Sequence, residues 1–190
     1  MNVPSQEVTA IPLVRNDPRL IGAGFQLLHA GAGYIYASRT ACTISLMPHP
    51  YSRQDAEAWV ALATPQTPET QFAIAIHDEV VGGIGLRLDD PERQGVFRHS
   101  AELGYWLGEA FWGQGIMSEA VAAFVGWAFG HFELARIHAS VYAHNRASAR
   151  VLTKAGFELE GRLRACYFKE GGFIDGLLYA KVRAHSRGGS

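Results

Sequence analysis

The spacing of apolar and polar positions changes along the chain, and each change predicts an element. Phe72, Ile74 and Ile76 alternate with smaller residues, and His77-Asp78-Glu79 then turns into the apolar run 80–86, which is the pattern of a β-hairpin. A polar connection over 89–99 leads to a strand over 101–107. From about 116 to 130 the period becomes helical. Val121, Phe124, Val125 and Ala128 return on one face, while Ala122, Ala123 and Trp127 leave little polar surface, so this helix is expected to lie largely buried across a sheet. Over 136–142 the period returns to two, with Ile137, Ala139 and Val141 set against Arg136, His138 and Ser140. Asn145 then caps a helix that Gly156 ends. Two last strands, 157–164 and 173–183, turn near Gly171-Gly172.

The first 50 residues are harder to read, because Pro12, Pro18 and the glycines at 22, 24, 31 and 33 interrupt any period. One short strand followed by irregular or weakly helical segments is expected there. Ser52 can cap a helix reaching about residue 63, with Asp55 and Glu57 in its first turn and Thr64, Pro65 and Pro68 marking its end. Strands first, then alternating strands and helices, predict a mixed α/β architecture in which helices cover a mixed sheet.

Composition narrows the class. At 190 residues and 48% hydrophobic the chain suits a single core, taken as one domain over 1–185 with a polar tail over 186–190. Seventeen basic residues against eighteen acidic ones give a net charge of -1, which supplies no general attraction to nucleic acid or to a membrane surface. Cys42 and Cys166 form no CxxC pair or Cys/His cluster, so no metal is expected. The first residues lack the basic start and apolar core of a signal peptide, and no apolar run is long enough to span a bilayer. A soluble, cytoplasmic protein is expected.

Two helix starts carry the chemistry. Gly113-Gln114-Gly115 joins a strand to the helix that opens at Ile116-Met117-Ser118. Glycines let a ligand approach the backbone, and the unpaired N–H groups of a first helical turn attract anions, phosphate in particular. The loop lacks the Lys-Ser/Thr of a Walker A motif and the third glycine of a dinucleotide fingerprint, which argues against an ATPase or a dehydrogenase. Asn145-Arg146-Ala147-Ser148 opens the next helix, and both helix starts follow neighbouring strands, so they should meet at one edge of the sheet.

The run from Glu102 to Ser118 (ELGYWLGEAFWGQGIMS), with Asn145-Arg-Ala-Ser148, Lys154-Ala-Gly-Phe157 and Glu160-Gly161, resembles the RimJ/RimL branch of the GNAT acetyltransferases, over about 72–183. The resemblance implies the GNAT fold, a mixed and mostly antiparallel sheet of about seven strands splayed into a V and flanked by about four helices. It implies acetyl-CoA as co-substrate, without a metal. The backbone of Tyr105, Trp106 and Leu107 would pair with pantetheine, and Gly113, Gln114, Gly115, Ile116, Met117 and Ser118 would hold the pyrophosphate. Asn145 would bond the pantetheine, and Ser148 would sit near the thioester sulfur. Trp112 and Met117 depart from the usual loop pattern, and Tyr167 stands where the ribosomal-protein serine acetyltransferases carry a glutamate.

Transfer of acetyl to an amine needs a base, a polarised carbonyl and a donor for the departing thiolate. Glu102, set in an apolar strand, is expected to be the base, with a pKa raised by partial burial. Tyr167 or Ser148 is expected to protonate the thiolate, and His138 and His144 are alternative bases. Aromatic Tyr51, Trp59 and Phe97 are candidates for an acceptor pocket, although core packing also accounts for them. The acceptor would be a protein N-terminus such as a ribosomal protein's, a small amine or an amino-sugar antibiotic. The rival function is a non-catalytic acyl-CoA sensor of the same fold. The resemblance also suggests a homodimer.

Overall fold

The computed structural model describes residues 16–22, 25–29, 70–76, 79–92 and 94–183. Eight strands form one sheet: β1 (Asn16–Gly22), β2 (Phe25–His29), β3 (Gln71–Ile76), β4 (Glu79–Leu88), β5 (Ser100–Leu107), β6 (Arg136–Tyr142), β7 (Glu158–Lys169) and β8 (Gly172–Val182). Their spatial order is β1-β2-β3-β4-β5-β6-β8-β7, and every neighbouring pair is antiparallel except β5 and β6. Two α-helices are described, α1 (Ile116–His131) and α2 (Arg146–Lys154), and a short 3-10 turn covers Glu109–Phe111.

The period-two face foreseen for β3 and β6 is the one that packs on α1. Phe72, Ile74, Ile84, Leu86, Ala101, Leu103, Ile137, Ala139 and Val141 are buried in a common cluster with Ala120, Val121, Phe124, Val125 and Ala128. Burying a side chain of the size of Phe124 contributes about 2–3 kcal/mol. Asn145 caps α2 as expected, its Oδ1 accepting the Ser148 N–H at 3.0 Å. Gly156, at φ +82°, follows the helix with its N–H returned to the Thr153 carbonyl.

Two sequence expectations are corrected. The early part of the chain holds an antiparallel pair, β1 and β2, rather than one short strand; Gly22, read as an interruption, is the last residue of β1. The sheet has eight strands among the described residues, in keeping with the mixed sheet of about seven that was expected. β7 continues five residues beyond 164, because a bulge there absorbs the change of pattern without ending the strand. The helix expected over 52–63 lies outside the described residues, as does most of the turn at 77–79.

The feature that positions the site is the junction of β5 and β6. Their parallel pairing consists of Ser100 with Arg136, Ala101 with Ile137 and Glu102 with His138. Beyond Glu102, β5 keeps its partner β4 through Leu107, and β6 keeps β8 through Tyr142, but the two strands no longer pair with each other. The sheet therefore opens as a V, and past Glu102 the edge of β5 away from β4 has no strand neighbour among the described residues.

Candidate active site

At the mouth of the V lies a cleft of about 390 Å³. It is walled by the end of β5 (Tyr105, Trp106, Leu107), the loop and first turn of α1 (Gly113, Gly115, Ile116, Met117, Ser118) and α2 with its cap (Asn145, Ser148, Arg150, Lys154). The two helix starts singled out in the sequence thus do meet at one edge of the sheet. Of the residues expected at the cofactor, all but Gln114 line this cleft. The Gln114 side chain instead donates to the Ala110 carbonyl at 3.1 Å.

The loop needs its glycines for backbone reasons. Gly113 and Gly115 sit at φ +75° and +85°, and a Cβ at either would meet nothing within 4 Å, so the demand is conformational and the space above them is open. The N–H groups of Ile116, Met117 and Ser118 have no acceptor within the helix and carry the positive end of its dipole. Trp112, unusual at its position, donates its indole N–H to the Leu107 carbonyl at 2.8 Å and so ties the loop to the end of β5. Arg150 and Lys154, one turn apart on α2, add positive charge to the same cleft. A helix start with open space before it, two cations and an unpaired strand edge suit an extended polyanionic ligand with an amide-bearing arm, which is what coenzyme A is.

Ser148 lies in the cleft, with its Oγ 2.7 Å from the Tyr105 hydroxyl, which also donates to the Ser148 carbonyl at 3.2 Å. Burial pushes the Tyr105 pKa up, so its proton stays in place at neutral pH.

Glu102 and Tyr167 are not among the residues lining this cleft. They stand on the sheet face opposite α1: Glu102 alternates with buried Ala101 and Leu103, and Tyr167 donates its hydroxyl to Ser140 Oγ at 2.6 Å, Ser140 alternating with buried Ala139 and Val141. The β5–β6 pairing ends at Glu102, where the V begins. Burial raises the Tyr167 pKa, the bond to Ser140 offsets part of that rise, and the nearby Cys166 and Glu102 add to it. The Glu102 carboxylate is half-buried and paired with Arg87, whose Nε donates to it at 3.1 Å. The residue expected to be the base is thus held in a salt bridge across β4 and β5.

Sequence reasoning missed three things. Asp89 is paired with His138, Oδ2 to Nε2 at 2.9 Å, beside Glu102 in the parallel register. Burial pushes the Asp89 pKa up, but hydrogen bonds from Ser100 and His138 outweigh it and hold the carboxyl below its ordinary value. Nothing in the polar connection over 89–99 marks Asp89, since its partner is 49 residues away. Arg150 and Lys154 were legible as one face of α2 and were passed over. Ser140, the partner of Tyr167, had no signal beyond its polar position in β6.

The sequence profile described as an acetyltransferase (GNAT) domain matches residues 19–158. The chain is 34% identical over 120 residues to an uncharacterized N-acetyltransferase p20 of Bacillus licheniformis, covering 62% of this chain and 65% of that protein. It is also 34% identical over 111 residues to the ribosomal-protein-serine acetyltransferase of Escherichia coli (strain K12), covering 58% and 59%. The match thus spans about six-tenths of the length of these relatives. Among solved structures, a RimL ribosomal L7/L12 alpha-N-protein acetyltransferase in complex with coenzyme A aligns at a TM-score of 0.68 and 19% identity, covering 92% of this chain and 98% of that one. The microcin C7 self immunity acetyltransferase MccE, in complex with acetyl-CoA and AMP, aligns at 0.69 and 20% identity, covering 88% and 98%. These structural likenesses carry the fold. With the profile matched over most of its length, the chain belongs to the GNAT acetyltransferase family, with RimJ/RimL-type ribosomal-protein acetyltransferases among its relatives.

Proposed function

We propose that the protein transfers the acetyl group of acetyl-CoA to a primary amine, with a protein N-terminus as the first acceptor to test. The observation that carries this reading is the cleft: an unpaired β5 edge, left-handed glycines at an open helix start and the cations of α2 converge on one side of the V. Names of relatives that act on ribosomal proteins support the choice of acceptor.

In this mechanism the helix-start N–H groups, Arg150 and Lys154 hold the phosphates, and the β5 edge holds the pantetheine arm. The amine enters from the face of Glu102 and Tyr167. Its nitrogen attacks the thioester carbonyl carbon, the C–N bond forms and the C–S bond breaks. Glu102 accepts the amine proton through a water, and Tyr167 gives its proton to the departing thiolate. The Tyr167 hydroxyl keeps its proton at neutral pH and so is present as a donor. Alignment of the two reactants at the V supplies the rest of the acceleration. The His138–Asp89 pair favours a second reading in which His138 is the base.

Release of free thiol from acetyl-CoA in the presence of N-terminal peptides, small amines and amino sugars tests the proposal. Turnover with a peptide supports it. Tight acetyl-CoA binding without turnover on any amine would instead identify an acyl-CoA sensor. Glu102→Gln and His138→Ala then separate the two candidate bases: the true base costs about 100-fold or more in kcat, and the other substitution costs little.

A further inference from the structure

We propose that Asp175 is a positioning residue for acetyl transfer, its carboxylate holding the bulge in β7 that delivers Tyr167 to Ser140. The inference rests on the reading of Tyr167 as proton donor. β7 and β8 pair Leu163 with Gly176 and next Tyr167 with Ile174, so four steps along β7 are matched by two along β8. The surplus gathers at 164–166. At its centre Ala165 has φ +49°, a conformation that residues with a Cβ rarely adopt.

Asp175 spans this irregularity. One carboxylate oxygen accepts the Ala165 N–H at 2.7 Å, and the other accepts from Arg162 Nε at 2.8 Å and Nη2 at 2.7 Å, so a single side chain on β8 grips β7 just before the bulge and at its centre. The Ala165 N–H and Arg162 hold this carboxyl below its ordinary pKa, so it is ionised wherever the enzyme would operate.

The consequence for Tyr167 follows from strand geometry. With the bulge flattened, register counted from Leu163 and Gly176 would set Tyr167 opposite Gly172, two residues further along β8 and about 7 Å from its present place. Tyr167 could not then reach Ser140, which it now meets at 2.6 Å. Gly176 completes the arrangement, since a Cβ there would lie 2.9 Å from Tyr167 Cε2 and 2.8 Å from Cys166 Sγ. A bulge in an edge strand can also serve only to discourage pairing with another chain, so the test must separate the two roles.

Asp175→Ala is made in the natural protein and in Tyr167→Phe, and Ala165→Gly is added to Asp175→Ala as a suppressor. Two readouts are taken: steady-state thiol release, and the ring-carbon NMR signal of Tyr167, assigned by its loss in Tyr167→Phe. The expected result is a fall in kcat of about ten- to a hundredfold with KM for acetyl-CoA unchanged, no further fall in the Tyr167→Phe background, and partial recovery with Ala165→Gly, for which positive φ carries no penalty. The Tyr167 signal should move toward that of an exposed tyrosine. Should Asp175→Ala fail to fold, Asp175→Asn, which keeps an acceptor for Ala165 but loses the charge on Arg162, takes its place with the same comparisons. Equal proportional losses of kcat in both backgrounds, or an unmoved Tyr167 signal, would overturn the proposal. Wild-type kcat in Tyr167→Phe would instead defeat the proton-donor reading, and the NMR signal would then decide alone whether Asp175 sets the position of Tyr167.

Discussion

Gly176→Ala probes the proposed acceptor face with a single methyl group. The added Cβ would stand 2.9 Å from Tyr167 Cε2, 2.8 Å from Cys166 Sγ and 3.3 Å from Ser140 Oγ, where ordinary contact begins at 3.4 Å. Two neighbours must therefore retreat by about half an ångström or more, and one of them is the ring whose hydroxyl bonds Ser140. Overpacking of this kind costs about 1–3 kcal/mol of stability, or a few degrees of melting temperature in a domain of this size. The effect on rate should be larger in proportion, because misplacing a reacting group by about 1 Å can cost about 100-fold. KM for acetyl-CoA should hold, since Gly176 is not among the residues lining the cleft. Gly161→Ala is the matched control, adding the same methyl to β7 where nothing lies within 4 Å. The assay is thiol release at saturating acetyl-CoA with the best acceptor found. A Gly176→Ala enzyme as fast as the Gly161→Ala control would refute the placement of Tyr167 at the reacting centre.

Other consequences are simpler to state. Gly115→Ala meets no steric obstacle, so its cost is that of a left-handed backbone alone, about 1–2 kcal/mol; a urea melt showing a much larger loss would reveal crowding absent from this structure. Phe124→Ala empties the centre of the cluster between α1 and the sheet and should cost about 3–5 kcal/mol, read in the same melt. Asp89 has a lowered folded pKa, so its contribution is present above its unfolded value near 3.8 and is lost as pH falls through the lower folded value. Asp89→Asn should therefore unfold less steeply with acid below about pH 4 than the natural protein does, and parallel acid-denaturation curves would contradict the pairing with His138.

How much of this was legible in the sequence varies with the kind of interaction. The strands and helices of 71–183 follow from periodicity, because Phe72, Ile74, Ile137, Ala139 and Val141 all turn one face to the same core. The proposed anion-binding end of the cleft follows from local rules as well: glycines at positive φ, an open helix start and the Asn145 cap each involve residues within a few positions of one another. The proposed acceptor face was much less readable. Glu102 with Arg87, Asp89 with His138, Tyr167 with Ser140 and Asp175 with the Ala165 bulge join residues 10 to 49 positions apart, and register alone brings them together. The bulge was invisible for a related reason. Ala165 carries no turn signal, and its N–H is bonded by a carboxylate on the neighbouring strand. The β1–β2 pair was obscured by glycines and prolines that break apolar periodicity without preventing a ladder.

The most direct test of the account is calorimetric binding of acetyl-CoA, and of adenosine 3',5'-bisphosphate, to the natural protein and to Gly115→Trp, whose indole would fill the open space before α1. The account predicts micromolar binding of acetyl-CoA that the substitution abolishes. Folded natural protein that binds no acetyl-CoA, or binding that Gly115→Trp leaves intact, would contradict the assignment of this cleft.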